Sequence, residues 1–152
     1  INNEQVADVR RMMGELPDDM LKVLVTHHPF DLPEGHDEDD MIGRAGKAFP
    51  RLAECGVNLF LAGHLHVANI ETTAKRYELE NGHTALIVQA GTATSSRVRG
   101  EPHSFNHLEW DRPKLTVKRF ECLQKEDGFF TAEIKEYSRV ENGWVHLHQN
   151  KL

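Results

Sequence analysis

Clustered basic charge, paired cysteines and long apolar runs are what this sequence lacks. Lys and Arg total 18 against 24 Asp and Glu, a formal net charge of −6. That balance argues against a broad nucleic-acid surface, because phosphate binding wants clustered cations. No apolar stretch is long enough to span a bilayer, and no signal-peptide pattern is present. A cytoplasmic protein without a membrane partner is the expectation, although a signal could lie upstream. Cys55 and Cys122 fall in different apolar segments and form no CxxC pair. They read as buried free thiols of a reducing compartment. Internal repeats and low-complexity tracts are missing too. The first residue is Ile1, not Met, inside what reads as a helix start, so the chain reads as a fragment or processed product.

What is present is 152 residues, enough for one ordinary domain with a core. Asn2 or Asn3 can cap a helix, and Val6, Val9, Met13 and Leu16 then recur at helical spacing. Pro17-Asp18-Asp19 ends it. Residues Leu21 to Val25 predict a strand, Gly43 to Cys55 a helix restarting or kinking at Pro50, and Val57 to Ala62 another strand. This strand–helix–strand order predicts parallel neighbours. From His66 onward the pattern turns to β. Strands are expected at Val67 to Thr73, Thr84 to Ala90, Phe105 to Trp110 and Lys114 to Cys122. Phe129 to Val140 and Trp144 to His148 follow, joined by a hairpin turn at Glu141-Asn142-Gly143. Single-domain organisation is the economical reading: an α/β part over 1–66 and a β-rich part over 67–152.

Histidine is unusually frequent, at ten. Gly63-His64-Leu65-His66 stands just past one apolar run, and Thr26-His27-His28-Pro29 just past another. Neutral imidazole nitrogens are preferred ligands for zinc, iron and similar ions. Gly63 would let the backbone turn closely beneath an ion. At i and i+2, His64 and His66 can leave the chain on one side and reach one centre or two adjacent ones. The alternative is a pair of ordinary loop histidines. If both clusters end parallel strands, they share one sheet edge, and joint metal binding by His27, His64 and His66 follows.

Thr-His-His-Pro-Phe, then Gly-His-Leu-His, then Ala-Gly-Thr-Ala-Thr-Ser, in that order, resembles the C-terminal half of a calcineurin-like metallophosphoesterase. The pattern is most similar to the bacterial branch related to cyclic-nucleotide phosphodiesterases. It covers about Ile1 to Glu109 well and the last β segments loosely. The resemblance implies a four-layer α/β/β/α sandwich, of which this chain would be the C-terminal portion. It also implies a centre of two divalent or trivalent metal ions, manganese, iron or zinc, with His27 and His64 serving one ion and His66 the other. The implied activity is hydrolysis of phosphodiester bonds by a hydroxide that two metals activate. A small phosphoester is the implied substrate, a cyclic nucleotide being one candidate.

The departures matter equally. The family's Asp-x-His, Gly-Asp-x-x-Asp and Gly-Asn-His-Asp/Glu motifs do not occur here. Asn106-His107 is a decoy, preceded by Phe105 within a strand pattern. The bridging carboxylate, the Asn ligand and the acid–base residues are therefore expected upstream of Ile1. An incomplete fragment without activity, left with an apolar edge that favours association, is one alternative. A non-hydrolytic binding module of the same fold is another.

Other candidates carry lesser roles. His28 is expected to pack or to make an outer hydrogen bond to a ligand. Thr92 and Arg97, with Arg99, could contact phosphate, or belong to an ordinary loop. The acidic run Glu34, Asp37, Glu38, Asp39 and Asp40 reads as a solvated loop bordering the site rather than as substitute ligands. His146 and His148 read as an exposed strand face. His36, His83 and His103 lie in polar loops and earn no role.

Overall fold

The computed structural model describes residues 1–77, 79, 82–94, 100–123 and 128–151, which form a mixed α/β structure with two sheets. Helix α1 (Asn3–Gly14) begins at Asn2, whose side chain accepts from the Gln5 amide while Gln5 returns the bond to the Asn2 amide. That reciprocal cap satisfies two orphan donors. Helix α2 (Ala45–Glu54) starts at Arg44, a left-handed residue with φ 68°, and runs through Pro50 without ending. Pro50 has no N–H, so the Gly46 carbonyl lacks its intrahelical donor. Burial of Ala48, Phe49, Leu52 and Ala53 holds the helix despite that loss.

Four short strands build the first sheet: β1 (Val23–Thr26), β2 (Leu59–Ala62), β3 (Asn69–Thr72) and β4 (Leu86–Gln89), in the order β1-β2-β4-β3. β1 and β2 are parallel, as the strand–helix–strand pattern predicts; β4, from the stretch read as the β-rich part, joins them in parallel beside β2, and β3 pairs antiparallel with β4. Both faces of this mixed sheet are covered. On one face Val6, Phe49, Leu52, Phe60 and Ile87 pack with the helices. On the other, Leu59, Leu86 and Val88 meet Leu115, Val117, Tyr137 and Trp144.

Those last four belong to an antiparallel sheet of β5 (His103–Asp111), β6 (Lys114–Cys122), β7 (Phe130–Val140) and β8 (Gly143–Lys151), in chain order. Its strands alternate inward Leu108 and Trp110 with outward His107 and Glu109, the period-2 signature of a sheet solvated on one side. Among the described residues, helices, mixed sheet and antiparallel sheet give three layers, α/β/β. Asn58 joins them at the start of β2. Its side chain accepts from the Lys22 amide at 3.0 Å, and its carbonyl accepts from the Leu86 amide at 2.9 Å and from Trp144 Nε1 at 2.8 Å. Gly143, at φ 134°, is needed at the hairpin because a Cβ there would stand 2.4 Å from the Thr84 carbonyl oxygen. Cys55 and Cys122 form no disulfide and are half-buried, not fully buried as expected. No described helix is long and apolar enough to cross a membrane.

Candidate metal centre

Parallel register fixes where the site forms. Thr26 pairs with Ala62, and Ala62 with Gln89, so β1, β2 and β4 end at one edge. The segments just beyond carry His27-His28, Gly63 to His66, and Gly91-Thr92. Strand ends of this kind are where open α/β sheets build their sites.

Three imidazoles meet there. The ligand nitrogens of His27, His28 and His64 all lie within 4.8 Å of one another. Nδ1 of His64 is 3.1 Å from Nε2 of His27. The His28 ring sits 4.0 Å, centre to centre, from that of His64 and 4.8 Å from that of His27. His66 is not in this group; its Nδ1 lies 2.6 Å from Thr92 Oγ1. His28, to which sequence reasoning gave an outer role, is thus grouped with His27 and His64, and His66 is turned to the β4 loop.

The backbone explains the divergence. His64 and His66 both take left-handed conformations, with φ 70° and 60°, around a fully buried Leu65. The Leu65 amide folds back onto the Gly63 carbonyl at 2.9 Å. Such conformations cost of order 1–3 kcal/mol each in residues with a Cβ and cluster at functional sites. Gly63, expected to supply the turn, has no positive φ, and a Cβ on it would meet nothing within 4 Å. The histidines themselves make the turn.

Electrostatics favour the neutral form of one ring of the three. Burial, and then the neighbouring His64 and His27 rings, hold the His28 imidazole below its ordinary pKa. A neutral ring retains the lone pair that a metal requires. One carboxylate reaches the group: Asp40 Oδ1 lies 3.5 Å from Nε2 of His64. The acidic run is therefore not wholly a solvated loop. Glu34, Asp37, Glu38 and Asp39 are exposed, but Asp40 docks and Glu38 lies 3.6 Å from Arg76. Arg76 also pairs with buried Asp31, and Tyr77 donates to the Phe30 carbonyl at 2.6 Å. These bonds tie the loop after His27 to the segment after β3. Beside them opens a cavity of about 540 Å³ lined by Asp31, Glu34, Asn69, Glu71 and Arg76.

A cavity of about 570 Å³ lies at the opposite ends of the parallel strands, lined by Asp18, Lys22, Asn58, Arg112 and Arg139 among others. Its charges face protein partners. Arg139 donates to the Asp18 and Met20 carbonyls at 2.7 and 2.8 Å, Arg112 pairs with Asp19 at 2.9 Å, and Lys22 Nζ reaches the Cys55 carbonyl at 3.3 Å. It is a structural seam, remote from the imidazoles.

The remaining candidates are placed as follows. Thr92 is buried and holds His66; Arg97, Arg99, Ser95 and Ser96 lie outside the described residues. Asn106 points inward and donates to the Gln89 carbonyl at 3.0 Å, while His107 points outward, so that pair forms no site. His146 is exposed beside Tyr137. Sequence reasoning missed Asp40 as a neighbour of His64. Its separation of 24 residues from that histidine carries no signal, because α2 and β2 lie between them and the loop ahead of α2 can pass anywhere along the edge.

Neither a protein-family model nor a curated protein matches the chain. Among solved structures it is similar to a crystal structure of a Vps29 single mutant from Entamoeba histolytica, at 18% identity and a TM-score of 0.42. The match covers 83% of this chain and 55% of that one, so the chain spans about half the length of the structure it resembles.

Proposed function

We propose that this chain serves a metal-dependent phosphoesterase, acting on phosphodiesters, in which His27, His64 and His66 hold the ions. The observation that carries the reading is the gathering of the His27 and His64 imidazoles, with His28 beside them, past the ends of adjacent parallel strands. That donor set suits zinc or iron, manganese being favoured once carboxylates join it, and the three grouped rings would hold one ion. The chemistry a bound cation supplies there is polarisation of a phosphoryl oxygen and a lowered pKa for a water. Neutral rings leave the cation's charge uncancelled, which draws an anionic substrate to a chain that is negative overall. Thr92 fixes the His66 ring, and the loop around Asp31 and Arg76 walls the adjacent cavity.

A two-ion centre needs an anionic bridge holding the cations ~3.5–4 Å apart. The His27, His28 and His64 group contains none. In this reading the bridge and the acid–base groups come from sequence beyond the 152 residues. Hydrolysis of bis(p-nitrophenyl) phosphate with added manganese tests it, on the chain alone and joined to any upstream sequence. Turnover no higher than that of a His64→Ala control sinks the proposal. A second reading, a non-hydrolytic module with the same cation site, is favoured by the turn of His66 toward Thr92. Metal binding without turnover in either form would select it.

A further inference from the structure

We propose that His27, His28 and His64 form a single-ion site of three imidazoles, and that Asp40 acts on it from outside by holding Nε2 of His64. The inference rests on the metal-binding part of the reading above and not on hydrolysis.

Two nitrogens, Nδ1 of His64 and Nε2 of His27, stand 3.1 Å apart. Two lone pairs at that distance repel unless a proton or a cation lies between them. Which nitrogen of a histidine carries its proton is set by what the other one meets. Asp40 Oδ1 stands 3.5 Å from Nε2 of His64, which favours the proton there and leaves the lone pair on Nδ1, facing His27. In the metal-free chain the His27 Nε2–H would then donate to it. A cation takes that position once the His27 proton has moved to that ring's own Nδ1, and it then satisfies both rings as neutral imidazoles.

The spacing of the His27 and His64 nitrogens agrees with this. Zn–N bonds of about 2.0–2.1 Å in a tetrahedron put ligand nitrogens ~3.3–3.4 Å apart. The observed pair needs a shift of a few tenths of an ångström. His28 contributes the third nitrogen within the same 4.8 Å span, leaving a fourth position for water or substrate. A carboxylate on the far nitrogen of a ligating histidine is the usual outer partner of imidazole metal sites. The strained left-handed φ of His64 places its ring between His27 and Asp40. Softer first-row cations are the class selected, zinc or cobalt; an all-imidazole donor set does not suit magnesium or calcium.

Titrating the 152-residue chain with zinc and with cobalt tests the site, magnesium serving as the control. One ion per chain is expected, with a tetrahedral visible spectrum for cobalt and three cobalt-shifted ring N–H resonances. The resonances are read on the unaltered chain, so this part does not depend on any variant folding. His28→Gln should remove saturable binding and His146→Gln, on the exposed face of β8, should leave it in place, each variant checked by far-ultraviolet circular dichroism. Asp40→Asn should weaken binding by about 10–100-fold and alter the cobalt spectrum, with Asp40→Glu restoring both. Absence of saturable binding, or two ions per chain, overturns the inference. So does binding that survives His28→Gln and is lost in His66→Gln, which would leave the phosphoesterase reading intact. Binding that needs His28, without phosphodiester turnover, upholds the inference and removes the hydrolase.

Discussion

The mixed sheet is built from strands of four residues and the antiparallel sheet from strands of nine to eleven, yet the imidazoles gather on the short-stranded sheet. Short strands covered on both faces are held by burial, and their length places several chain reversals along one edge. Long strands solvated on one face are held by their own ladders and by cross-strand pairs such as Lys118–Glu109 at 2.9 Å. Chemistry is assembled where loops converge, and the antiparallel sheet serves as the wall behind them.

Four substitutions can break or sharpen that contrast. Phe60→Ala should cost most, about 3–5 kcal/mol by urea unfolding, because the ring is buried between Phe30 and Phe49, whose centres lie 4.9 and 5.5 Å away. Val145→Thr, on the exposed face of β8, should stay within about 0.5 kcal/mol. Equal losses at the two positions would erase the distinction between the sheets. Trp144→Phe tests the joint between them: it removes the bond to the Asn58 carbonyl and should cost about 1 kcal/mol in the same assay. A smaller effect of opposite sign is expected for His64→Gly. Relief of the left-handed backbone should raise stability by up to about 1 kcal/mol, while cobalt binding is lost. A fall in melting temperature would mean that the conformation is not strained.

Acid should expose the same asymmetry more gently. Burial lowers the pKa of His83 and of His28 in the fold. The unfolded chain therefore takes up protons first, and stability rises with pH through the imidazole range. Melting temperature should hold steady above the ordinary value of about 6.5 and fall as pH drops below it. His83→Gln should remove part of that slope. An unchanged slope would assign the dependence to His28 or to other groups.

Much of this arrangement is legible in the sequence, and for definable reasons. Apolar runs separated by a helix announce β1 and β2, and an Asn at position 2 or 3 announces the first cap. Turn chemistry at Asn142-Gly143 announces the last hairpin. The site is legible only as far as the strand ends. Same-side projection at i and i+2 holds for extended backbone, and His64 and His66 are left-handed instead, so the spacing that joins them in sequence parts them in space. Pro50 likewise reads as a break because propensity is local, whereas the apolar face of α2 is satisfied by residues far along the chain.

The two tryptophans of the sequence, Trp110 and Trp144, meet edge to face with ring centres 5.9 Å apart, where the sheets join. Trp144 is bonded to Asn58, before β2 begins, and the histidines stand past the end of that strand. The protein thus carries an optical gauge of its own. Indole emission and near-ultraviolet dichroism report whether the sheets are still together, and visible cobalt absorption reports whether the imidazoles are occupied. Loosening of the edge and dissolution of the fold can be followed separately in one cuvette, with no added label.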